Sequence, residues 1–108
     1  MGLTLTIQGW FYLLTGLWPL ISIKTFEMVT GPKQDKWLVK TVGLMIACSG
    51  IIFIVMTDSK AALTLAILNA ITLAGVDIYY VWKKVISRIY LWDALVELVF
   101  VLIYLWFI

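Results

Sequence analysis

Residues Ile89–Ile108 read IYLWDALVELVFVLIYLWFI, and this stretch decides the class of the fold. It contains no glycine, proline or basic residue, and only Asp93 and Glu97 interrupt its apolar and aromatic side chains. At about 1.5 Å of rise per residue, such a helix spans the roughly 30 Å hydrocarbon core of a bilayer. Asp93 and Glu97 stand four apart, so both carboxyls lie on one face, one turn from each other. A charged carboxyl near mid-depth costs about 2.5–3.5 kcal/mol on insertion scales, which directs it toward a bundle interior or a wet cavity. The stretch therefore predicts a membrane helix with an inward-facing acidic site.

The whole chain agrees with that class. It has 108 residues, of which 64% are hydrophobic and 13% charged, against about 25% charged for a soluble domain. Four spans of about twenty residues would use most of it, leaving short connections and no water-soluble module. The net charge of +2 is too small to argue for a nucleic-acid partner. The single Cys48 excludes an internal disulfide, a CxxC pair and a thiolate metal cage. With no histidine, haem, His-ligated zinc and imidazole acid–base chemistry lack a ligand or base. No metal or cofactor is expected.

The expected fold is all-α, an up-down bundle of four transmembrane helices in one domain, with spans at about 3–23, 37–56, 61–82 and 89–108. Span one lacks the basic start and the cleavage site of a signal peptide, and is read as a retained helix. Gln8, Tyr12, Thr15, Pro19 and Ser22 share one stripe of it, and Pro19 should loosen its inner end. The polar stretch 24–36 reads as a connection, with turn chemistry at Thr30-Gly31-Pro32 and Asp35 as an N-cap for span two. Glu27 is expected to pair with Lys24 or cap this loop. Gly43, Ala47 and Gly50 form a small-residue stripe on span two, and Ala62, Ala66 and Ala70 another on span three. Such stripes let membrane helices approach closely. Leu73 and Asp77 lie on the continuation of the second stripe. Cys48, beside the first, is expected to be a packed core thiol.

Seven of the eight basic residues flank the first and third connections: Lys24, Lys33, Lys36, Lys40, Lys83, Lys84 and Arg88, with Lys60 alone on the other side. The positive-inside rule makes those connections cytoplasmic and puts both termini outside. Trp37, Tyr79, Tyr80, Trp82, Tyr90 and Trp92 form the inner aromatic belt, and Tyr104–Phe107 the outer one.

Depth counted along the helices brings the acids together. Asp77 lies about 9 Å in from Lys83, Asp93 about 7.5 Å in from Arg88, and Glu97 about 13.5 Å in. Lys40 enters from the same side, so three acids and one base converge on the cytoplasmic half, while Gln8, Tyr12, Asn69 and Tyr104 occupy the outer half. Lys40 continues the small stripe and should face the helices, unless it snorkels to the interface. One reading of the cluster is structural: Lys40 pairs with Asp77 or Asp93, and the other acids bond to local donors. The other is functional: three carboxyls against one ammonium leave a surplus of negative charge that binds a proton or a cation, Glu97 being deepest.

The stretch Phe26–Gly43, FEMVTGPKQDKWLVKTVG, preceded by Gly16-Leu17-Trp18-Pro19, resembles small bacterial membrane proteins described only as hypothetical, with a weaker echo at Gly75-Val76-Asp77. The resemblance implies a bacterial inner (cytoplasmic) membrane and marks the first connection as the patterned part of the chain. It implies no activity. Small multidrug-resistance exporters carry their essential carboxylate midway along span one, where this chain has Leu13-Leu14-Thr15, and vitamin-K-type oxidoreductases need paired cysteines.

The expected function is thus binding or moving a proton, a cation or a small cationic or amphiphilic ligand at Asp77, Asp93, Glu97 and Lys40. Transport would call for a parallel homo-oligomer. The alternative is an accessory subunit packed in the bilayer against a larger membrane protein. A lipid-modifying enzyme working by carboxyl acid–base chemistry ranks last, because no nucleophile, metal or cofactor motif accompanies the acids.

Overall fold

A computed structural model describes residues 2–107. Within them the chain is all-helical: α1 (Gly2–Ile21), α2 (Ile23–Thr30), α3 (Lys36–Val55), α4 (Lys60–Trp82) and α5 (Tyr90–Phe107). Among the described residues, three helices are long and apolar enough to cross a membrane: α3, α4 and α5. The 20-residue α1 matches α3 in length, but Gln8, Tyr12, Pro19 and its glycines dilute its apolarity.

Five helices stand where four were expected. The extra one is α2, inside the stretch expected to be a polar connection. Its eight residues are too short to cross a bilayer. The chain breaks at Ser22, the residue after α1 ends and three after the Pro19 that α1 absorbs. The Ser22 hydroxyl then accepts from the Thr25 backbone N–H at 3.4 Å, capping the new helix. Trp18 holds α2 back against α1: its indole N–H donates to Thr25 Oγ1 at 3.0 Å, and its ring meets Phe26 edge-on. Asp35 takes the N-cap position of α3 without a side-chain capping bond, whereas Ser59 caps α4 by accepting from the Ala62 N–H at 3.2 Å.

The helices pair as two hairpins. In the first, α1 lies antiparallel against α3 on a seam of glycines spaced seven apart on each helix. A Cβ at Gly9 would stand 2.6 Å from the Gly50 carbonyl oxygen, and one at Gly50 would stand 2.5 Å from that of Gly9. Gly16 and Gly43 oppose each other just as closely. Ala47 is buried between them. The expected small stripe on span two is thus an intramolecular seam, and its partners are Gly9 and Gly16 of α1. In the second hairpin, α4 packs on α5 and buries Ala62, Ala66, Ala70 and Ala74 in one row, with Asp77 next along it.

The hairpins meet most tightly toward the ends of the chain. Leu5, Tyr12, Phe53, Ala62, Ala66, Phe100 and Tyr104 form one buried cluster there, where the alanines make room for rings from α1, α3 and α5. Tyr104 is fully buried rather than part of an outer belt, while Trp106 and Phe107 are exposed. Cys48 is exposed on α3, not packed in the core. At the other end, where both longer connections lie, the hairpins diverge.

Candidate functional site

That divergence leaves a cavity of about 660 Å³ between the hairpins. Its wall is built mainly from apolar residues of α1, α2, α3 and the facing ends of α4 and α5. Asp77, Asp93 and Glu97 all line it. The alanine row of α4 puts Asp77 on the buried face, and the four-residue spacing on α5 stacks Asp93 below Glu97. Glu97 is fully buried, Asp77 is 5% exposed, and Asp93 is half-buried.

Hydrogen bonding at the acids is incomplete. The Tyr12 hydroxyl donates to Glu97 Oε2 at 2.5 Å. Asp77 of α4 and Asp93 of α5 face the same cavity. Yet Asp77 Oδ2 and Glu97 Oε1 are buried with no hydrogen-bond partner. A buried charged oxygen without a partner costs free energy that native structures seldom leave uncompensated.

Lys40 does not compensate it. It is half-buried one turn into α3 and outside the cavity wall, which α3 builds from Leu38, Val39, Val42, Gly43 and Ile46. Among the described residues the ion pair is Lys36–Glu27, at 3.2 Å, so the expected pairing of Lys40 with Asp77 or Asp93 is not formed. The cation that does reach the cavity wall is Lys33. Its ammonium sits 4.9 Å above the Tyr90 ring and 5.9 Å from Phe26, and donates to the Thr30 carbonyl at 3.2 Å. It therefore ties the first connection to α5 at the cavity wall by cation–π contact.

Glu27 anchors that connection. Its Oε2 accepts from the Lys33 backbone N–H at 3.0 Å, and its Oε1 pairs with Lys36 rather than with Lys24. The Lys33 N–H, and after it the Lys36 ammonium, hold the Glu27 carboxyl below its ordinary value of 4.5.

A second polar group sits above the acids. Tyr104 donates to Gln8 Oε1 at 2.5 Å, and the Gln8 amide donates to the Ala66 carbonyl at 3.1 Å. Gln8 and Tyr104 thus satisfy each other inside the core, whereas Tyr12, expected with them in the outer half, belongs to the acidic site. Among the described residues no group of three or more His, Cys, Asp or Glu is arranged to hold a metal ion. No protein-family model, curated protein or solved structure matches the chain.

Proposed function

We propose that α1, α3, α4 and α5 cross the bilayer as a four-helix bundle with both termini outside, and that the cavity binds a proton or a cation at Asp77, Asp93 and Glu97. The place of α1 among the spans is supported by its antiparallel seam with α3, since Gly9–Gly50 and Gly16–Gly43 contacts keep the two at one depth. The orientation is supported by charge: Lys33, Lys36, Lys83, Lys84 and Arg88 lie at the cavity end and Lys60 at the other.

The observation that carries the functional reading is the pair of buried, partnerless oxygens, Asp77 Oδ2 and Glu97 Oε1, in the wall of an apolar cavity. Three carboxyls on the wall of one apolar cavity need compensating positive charge, and among the described residues the ammonium on that wall, Lys33, is engaged with two aromatic rings. Lys40 has no part in the site as proposed. Binding fits better than passage, because the buried cluster around Tyr12, Phe53 and Tyr104 closes the outer half.

The test is thermal stability of the purified protein in detergent, across pH and with sodium, potassium and organic cations, for wild type and for Asp77→Asn/Glu97→Gln. The reading predicts that protons or a cation shift the wild type and leave the variant unmoved. A variant that is equally destabilised under every condition would reduce the acids to bundle glue and point to an accessory role.

A further inference from the structure

Resting on the cavity as a cation site, we infer that its ligand is an organic ammonium ion with an apolar body, taken up from the bilayer, rather than an inorganic cation. Four observations carry this. First, the volume of about 660 Å³ falls in the range of roughly 300–1,000 Å³ typical of sites for drug-sized molecules. Second, the walls suit such a body. Phe11, Trp18, Phe26, Tyr90 and Trp92 line the cavity along with aliphatic side chains, and aromatic faces attract organic cations. A hard metal ion needs six or more oxygen ligands or retained waters, which apolar walls do not supply.

Third, the acids bring acceptors that lack a donor to the cavity wall. Asp77 Oδ2 and Glu97 Oε1 are buried and partnerless, and both residues line the same cavity. Glu97 is steadied by the Tyr12 hydroxyl on its other oxygen, which leaves Oε1 as the acceptor without a donor. A primary ammonium carries three donors, the complement of carboxyl acceptors on an otherwise apolar wall. Charge-assisted hydrogen bonds of this kind are the strong ones.

Fourth, the rim is apolar and exposed. Leu38 and Val42 of α3, Val76 of α4 and Trp92 of α5 line the cavity and are exposed. In a spanning chain that surface meets lipid. An amphiphilic amine partitioned into the bilayer can slide in between α3 and the second hairpin with its ammonium leading, without crossing the Lys33–Tyr90 contact.

The experiment is calorimetric titration of the detergent-solubilised full chain with phenylbutylammonium and with its neutral counterpart phenylbutanol. The amine should bind at one site. The alcohol, and the amine with Glu97→Gln, should bind about tenfold to a hundredfold more weakly, the weight of one hydrogen bond to a charged group. Val42→Trp, which fills the rim and leaves every carboxyl in place, should abolish binding while thermal stability is kept. Equal binding of amine and alcohol overturns the inference, as does undiminished binding to Val42→Trp. If protons or sodium shift stability while the amine fails to bind, this inference falls and the site remains a proton or inorganic-cation site. If none of them acts, both readings fall.

Discussion

The glycine seam offers the sharpest structural prediction, because the chain contains its own control. A methyl group at Gly16 would fall on the carbonyl oxygen of Gly43 and stand 2.7 Å from the Ala47 nitrogen and 3.2 Å from its Cα. These are backbone atoms, which cannot swing aside as a side-chain tip would, so α1 and α3 must separate along their length. At Gly75 of α4, a Cβ would meet nothing within 4 Å. Both Gly16→Ala and Gly75→Ala gain the same helix propensity, about 1 kcal/mol. The difference between them isolates the clash, and overpacking of one methyl group typically costs about 1–3 kcal/mol. Unfolding in mixed detergent micelles, followed by helical circular dichroism, should therefore place Gly16→Ala below wild type or level with it, and Gly75→Ala above it. If the two alanine variants were equally stable, the close approach of α1 and α3 would not exist as described.

Other outcomes follow from single groups. Removing one partner of the Gln8–Tyr104 pair strands the other in the core, so Tyr104→Phe should cost about 1 kcal/mol, and Gln8→Leu/Tyr104→Phe less than the sum of its singles; a double-mutant cycle of unfolding free energies reads this directly. The Glu27 carboxyl is held below 4.5 by the Lys33 N–H and Lys36. Its contribution to holding α2 is thus complete above that value and is lost as pH falls through the lower, folded one. Amide exchange in α2 should accordingly be faster in Glu27→Gln than in wild type at neutral pH, with the difference vanishing at acid pH; a difference that persisted there would refute the assignment. Cys48, exposed on α3, should resist a charged maleimide in intact membranes and react with a membrane-permeant one. Ready labelling by the charged reagent would mean that α3 does not lie in lipid at that depth.

Much of this arrangement was legible because long apolar helices obey strict rules of length and period. The apolar runs located three of the long helices, and a four-residue spacing put Glu97 on the buried face with Asp93 beside it. The alanine row, extended by Ala74, delivered Asp77 to the same side. What could not be read was whatever depends on which helix faces which. Tyr12 lies ten residues from Ser22, about 15 Å by helical rise, close to the depth reckoned for Glu97; grouping it with Gln8 ignored that the two hairpins bring it to α5. Gly9 and Gly16 acquire meaning only opposite Gly50 and Gly43. The segment 23–30 is too short and too mixed to announce a helix, and forms one because Ser22 caps it and Trp18 packs on it. Lys33 reaches the cavity through the path of a loop, which no periodicity specifies, and Lys40 misses it by lying beside the residues of α3 that form the wall.

The central claim is that the three carboxyls hold exchangeable positive charge. It is tested most directly by counting protons released into a weakly buffered detergent solution when phenylbutylammonium or an inorganic cation is added at neutral pH. Wild-type protein should release protons in proportion to the cation bound, and Asp77→Asn/Glu97→Gln should release none. Cation-independent proton counts, or equal release by the variant, would contradict the account and leave the acids a purely structural part of the bundle.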